Sequence, residues 1–216
     1  MDAKLRPYLN FDYDEISEYY DELIWLLVSQ MDSEYAGAKG YEALMDITPQ
    51  FSAAEYKDVP SMVYDEFQHG NRIRGILNQI GFNADSWSEE HLDGYKFRID
   101  PDERLAGRSM RDLRKDFRVD IFYYPIVVGD PLVDCVNFNI FQFLQDRGAG
   151  EQIRDTLQSS FAPWAYENGK TMREENKHIR HGDMWMGRLV REYPELVQKQ
   201  FDLWLPRSLA TFGRPD

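Results

Sequence analysis

The sequence predicts an all-α protein: a four-helix bundle with an additional C-terminal helix and a charged loop or hairpin insertion. Three observations lead there. Apolar residues recur at the three- and four-residue steps of a helix face, prolines and glycines fall where such stretches would start or stop, and strand-like character is confined to one segment, Phe117 to Val128. With 216 residues and 43% apolar content the chain is long enough for one substantial core, so a single domain, 1–216, is expected.

From Asp14 to Gly37, the residues Ile16, Tyr19, Tyr20, Leu23, Ile24, Leu27 and Met31 form one helix face, with Asp14 as N-cap and Gly37 as stop. A second helix is expected from about Ser52 to about Ile80, ending at Gly81, with Pro60 opening a new segment or kinking it. The piece that follows, with mixed charges around Phe117 to Val128, reads as a hairpin or a long ordered loop. A third helix is expected from about Pro131 to about Gln158, weakened in its middle by Gly148 and Gly150. Pro163 opens a fourth reaching roughly Leu189, and Pro194 a short fifth ending near Pro206.

Charge excludes some functions. A formal net charge of −13 opposes nucleic acid, whose phosphates need a basic face, and acidic membranes as well. The longest apolar run, Leu23 to Val28, is far too short to span a bilayer. The acid-rich opening lacks the apolar core of an export signal, and the single cysteine, Cys135, has no partner for an internal disulfide; the expected location is the cytoplasm. Cys135 itself reads as a buried small apolar residue.

Chemistry concentrates in two glutamate–histidine pairs, Glu66 with His69 in DEFQHG and Glu175 with His178 in EENKH. Residues i and i+3 project from one helix face, so each pair can offer a carboxylate oxygen and an imidazole nitrogen to one metal ion. Two such helices facing each other can hold two ions if each remaining helix adds an acid; Glu34 and Asp146 are placed there. Around His69 the residues Met62, Val63, Phe67, Ile73 and Ile76 look buried, and a buried Glu–His pair costs several kcal/mol, on the order of the penalty for any uncompensated buried charge, unless paired or metal-bound. Mixed carboxylate and imidazole ligands suit iron or manganese better than the thiolate-rich sites of structural zinc. Asp65 and Glu174 each precede a motif glutamate by one residue, where an acid can accept the other ring N–H of the opposite histidine or simply stand exposed on its helix. His181, a turn beyond His178, reads as an exposed histidine, and His91 as a loop residue.

Five segments carry a resemblance. Ser160 to Gly182, SFAPWAYENGKTMREENKHIRHG, follows S-Y-G-P-Y…K-E-E-S-F-H-Q-R-Q-G without a gap. LQDRGAG puts Asp146 on the aspartate of L-V-D-G-A-A, MDSEYAG puts Glu34 on the glutamate of H-S-E-I-V-G, and DEFQHG matches D-E-A-G-H-G. The final FDLWLPRSLATFGRPD is similar to R-F-W-W-P-A-L-M-M-F-G-P. These patterns belong to the phenylacetic acid catabolic family, catalytic subunits of ring 1,2-phenylacetyl-CoA epoxidase, a multicomponent mono-oxygenase on a ferritin-like fold.

The resemblance implies two iron ions, with manganese or a mixed pair as variants, held by Glu34, Glu66, His69, Asp146, Glu175 and His178. It further implies O2 activation, oxygen insertion into an aromatic acyl-CoA substrate, a reductase partner and a related structural subunit. Phe67, Met62 and Phe143 would line the pocket or serve as plain core, and Arg72, Arg74, Lys177 and Arg180 could meet the coenzyme A phosphates or be solvated helix ends. The charged segment from about Arg98 to Arg118 departs from the family pattern and is expected on the surface, as a homodimer contact or a solvated loop. The competing readings are an iron-oxidising or peroxide-scavenging protein with the same ligands, and a companion subunit without turnover.

Overall fold

The structure is a computed structural model that describes residues 17–47, 53–84, 86 and 128–210. Asp14 and the segments Phe117 to Val128 (save Val128 itself) and Arg98 to Arg118 lie outside them, as does His91. The described residues form five helices and no strand pairing between elements: α1 (Ser17–Ile47), α2 (Ala53–Gln79), α3 (Pro131–Thr156), α4 (Ala162–Glu192) and α5 (Pro194–Ala210). Helices joined by short links pack as pairs, α1 on α2 and α3 on α4; the pairs face each other through α2–α4 and α1–α3, and α5 lies against α3 and α4. Among the described residues no helix is long and apolar enough to cross a membrane.

The helix ends follow local chemistry. Asp130 caps α3 by accepting from the N–H groups of Leu132 and Val133, with Pro131 in the first turn. Beyond α2, Gly81 takes φ 76°, and the N–H of Phe82 reaches the carbonyl of Leu77, which closes that helix as a Schellman turn.

Three expected boundaries move. Gly37 does not stop α1, which runs ten residues further: Ala38 and Tyr41 beyond it are buried, and those contacts outweigh glycine's low helix propensity. Pro60 opens no new segment and sits inside α2, flanked by fully buried Val59 and Met62. Pro206 lies within α5, after Trp204, whose indole N–H donates to Asn137 Oδ1 and whose ring meets Phe141. Gly148 and Gly150 do not interrupt α3; a side chain at Gly150 would stand 3.3 Å from Ile179 Cδ1, so its absence admits α4 closely.

The apolar core is split. One cluster joins the first half of α1, the second half of α2, Phe161 and Trp164. The other joins Tyr41, Val59, Met62, the start of α3, the end of α4, Val197 and Trp204. Between them lies a buried polar layer containing Glu34, Glu66, His69, Glu175 and His178.

Candidate metal centre

The layer is built by helix register. Glu66 and His69 on α2, and Glu175 and His178 on α4, share an inward face through their i, i+3 spacing. His69 and His178 are wholly buried, with ring centroids 5.9 Å apart. His69 Nδ1 lies 3.2 Å from Glu34 Oε2, 3.1 Å from Glu175 Oε1 and 3.9 Å from Glu66 Oε2. His178 Nδ1 lies 3.0 Å from Glu66 Oε1 and 3.7 Å from Glu175 Oε2. Each of Glu66 and Glu175 therefore turns one oxygen toward each histidine.

The outer ring nitrogens are held from the opposite helix. His69 Nε2 on α2 meets Glu174 Oε2 on α4 at 2.9 Å, and His178 Nε2 on α4 meets Asp65 Oδ2 on α2 at 3.4 Å. An ionised carboxylate only accepts, so Nε2 carries the proton and, in the neutral ring, Nδ1 turns its lone pair toward the layer's centre. Both outer acids are themselves anchored: Arg72 donates twice to Glu174, and Lys177 Nζ lies 2.6 Å from Asp65 Oδ2.

Asp146 stands on the His178 side. Its Oδ2 accepts the Tyr41 hydroxyl at 3.1 Å, and the Tyr41 ring centroid is 5.7 Å from that of His178. As a residue Asp146 is partly exposed, but its carboxyl is enclosed, as are those of buried Glu34, Glu66 and Glu175.

So many acids in a dry layer disturb one another. Burial, and then the charges of Glu175 and Glu34 against the opposing pull of His178, push the Glu66 carboxyl up to about 8. Desolvation and the Glu175 charge raise Asp146 to about 7. Desolvation would lower His69, but its contacts with Glu175 and Glu34 win and raise it to about 11; His178 rises too, since Asp65 and Glu66 outweigh its burial. Burial acts to raise Glu34, yet His69 beside it draws its carboxyl below the usual range. Tyr41 is pushed well above its ordinary value by burial and by the Asp146 charge.

The residues fit a metal. Glu34, Glu66, His69 and Glu175 are all buried and each can place a ligand atom within 4.8 Å of the others' ligand atoms, so the group could hold an ion. The Nδ1 of His178 is fully enclosed and, among the described residues, has no partner in hydrogen-bond geometry, although Glu66 Oε1 is close. Once deprotonated, that nitrogen would turn its lone pair to a position between the surrounding carboxylates, where an ion could sit.

Several sequence expectations are corrected. Phe67 does not point inward; it is 41% exposed and packs on Tyr35, because the i+1 neighbour of an inward Glu66 faces away. Met62 is fully buried and Phe143 partly so. Arg72 and Lys177 are not solvated helix ends but anchor Glu174 and Asp65. His181 is buried, not exposed, accepting from the Trp185 indole N–H at 3.0 Å and meeting Gln142 at 3.3 Å. Tyr41 and Gln30, both in contact with site acids, are not among the residues the sequence singles out. Cys135 is buried, as expected.

Among the described residues, the fold and site together define a helical protein with a buried carboxylate–histidine cluster able to hold a metal ion. No protein-family model, curated protein or solved structure matches this chain.

Proposed function

We propose that this chain is a ferritin-like di-iron oxygenase of the phenylacetic acid catabolic type, acting on an aromatic acyl-CoA thioester with electrons from a separate reductase. One observation carries the reading: Glu66 and Glu175 each direct one oxygen to His69 and the other to His178, as two carboxylates shared between two ions would. Glu34 would complete the His69 side and Asp146 the His178 side. Bound there, two iron ions would supply O2 activation, with manganese or a mixed pair as the alternative occupants.

The chain's own groups do the rest. Glu174 and Asp65 fix the ring orientations of the two histidines and raise their basicity. The apolar clusters on both sides, including Met62, exclude water from the layer. The Tyr41 hydroxyl holds a proton against Asp146 Oδ2.

A second reading, iron oxidation or peroxide scavenging without an organic substrate, is favoured by the basic residues. Arg72 and Lys177 are engaged with Glu174 and Asp65, which removes two of the four cations expected to meet coenzyme A phosphates. The readings separate on protein loaded anaerobically with ferrous iron and then exposed to O2, a chemical reductant and phenylacetyl-CoA. Oxygenase chemistry adds one oxygen atom to the thioester, read by mass. Repeated ferric iron formation from excess ferrous iron, with the thioester unchanged, identifies the alternative.

A further inference from the structure

The two halves of the site are unequally built. On the His69 side, Gln30 and its neighbours fix Glu34. Trp164 Nε1, a donor only, points at Gln30 Oε1 at 2.7 Å, so the amide oxygen must face the indole and the NH2 must face the other way. That NH2 donates to Glu34 Oε1 at 3.0 Å and to Asn168 Oδ1 at 3.0 Å. Asn168 returns a bond to Gln30 Oε1 at 3.3 Å and donates to Thr156 Oγ1 at 2.6 Å. Asn168 is wholly buried and Trp164 nearly so, which makes the network stiff. With Oε1 held by Gln30, Glu34 has Oε2 left, and it is aimed at His69 Nδ1 from 3.2 Å.

The His178 side is framed differently. Asp146 meets Gln142 and its Oδ2 is held by the Tyr41 hydroxyl, and neither Asp146 nor His178 belongs to the group whose ligand atoms fall within 4.8 Å of one another, which comprises Glu34, Glu66, His69 and Glu175. A ligand set already in position loses less freedom on binding than one that must be gathered.

We propose that the two ions bind in order, the His69 half filling first and tightly because Gln30 positions Glu34, and the His178 half second because Asp146 must leave or share its bond to Tyr41. This rests on the dinuclear reading above. Gln30 is then a positioning residue, and Tyr41 sets the occupancy of the second half.

Titration of metal-free protein with Mn(II), followed by native mass spectrometry and calorimetry, reads both steps. The wild type should take up one ion and then a second, with affinities separated by about tenfold or more. Gln30→Met, which keeps volume and removes the donor, should weaken the first step by roughly tenfold and leave the second ion's dependence on Asp146 intact. Trp164→Phe should do the same more mildly and guards against misfolding of the first variant. Asp146→Asn should leave one tight ion, and Tyr41→Phe should strengthen the second step. Two ions bound with equal affinity, or loss of the first ion in Asp146→Asn, would overturn the order while leaving a dinuclear site. A single ion at saturating Mn(II) would overturn the dinuclear reading and the order with it.

Discussion

His69 on α2 and Glu174 on α4 meet across the helix interface, imidazole Nε2 to carboxylate Oε2 at 2.9 Å, while Arg72 grips the same carboxylate with N–H bonds of 2.5 and 2.9 Å. His178 and Asp65 repeat the relationship in the opposite sense, with Lys177 as the anchoring cation. The exchange is reciprocal: each of the two helices supplies an inward histidine and the acid that orients the other's. Glu174→Gln keeps the shape and removes the charge. Metal affinity should fall by roughly 10–100-fold, as when other partners of ligand histidines are lost, with helix content by circular dichroism unchanged. Unaltered affinity would mean that Glu174 has no hold on a ligand.

Gly37 gives a test that separates stability from binding. A side chain there would put its Cβ 3.0 Å from Glu66 Oε2 and 3.3 Å from its carboxyl carbon. Alanine is the better helix former by about 1 kcal/mol, so Gly37→Ala should not lower the melting temperature of the metal-free protein. It should nevertheless weaken metal binding by roughly tenfold, because Glu66 is displaced from its place between the histidines. Equal affinity in variant and wild type would place Glu66 elsewhere.

Proton linkage has a definite sign. Glu66 is raised from 4.5 to about 8 and His69 from 6.5 to about 11, so both hold protons near neutrality that a metal must displace. Groups raised on folding contribute stability that is complete below their unfolded values and lost as pH climbs through the folded ones. The metal-free protein should therefore lose stability as pH rises from 4.5 through about 8 by way of Glu66, and on toward about 11 by way of His69. Asp65, lowered from 3.8 to about 2, acts oppositely: its contribution is present above 3.8 and fades as pH falls through about 2. Metal binding meanwhile strengthens as pH rises. The melting-temperature gain on adding Mn(II) should grow from about pH 6 to about pH 8. A gain that shrinks over that range would contradict the linkage.

Much of this was legible in the sequence because it follows from spacing. The i, i+3 pairs declare their common face, and the prolines at 131, 163 and 194 mark helix starts within a residue. The exceptions share a cause, which is contact between helices. Gly37 reads as a stop, yet it is the gap that admits a carboxylate from α2. Tyr41 lies beyond that supposed stop, so its bond to Asp146 could not be foreseen. Arg72 and Lys177 look like solvated cations until α4 and α2 are placed side by side. His181 looks exposed until the Trp185 indole and Gln142 are found against it.

The central claim is that two ions share Glu66 and Glu175 between His69 and His178. Substituting Glu66→Ala or His178→Ala should remove at least one ion per chain while leaving the helices formed, since packing of the two apolar clusters maintains the bundle. The most direct measurement is anomalous diffraction from crystals of the Mn(II)-loaded wild type. Two anomalous peaks about 3.5–4 Å apart are expected, one beside His69 Nδ1 and one beside His178 Nδ1, with the Glu66 and Glu175 carboxylates spanning them. A single peak, or peaks away from the two histidines, would contradict it.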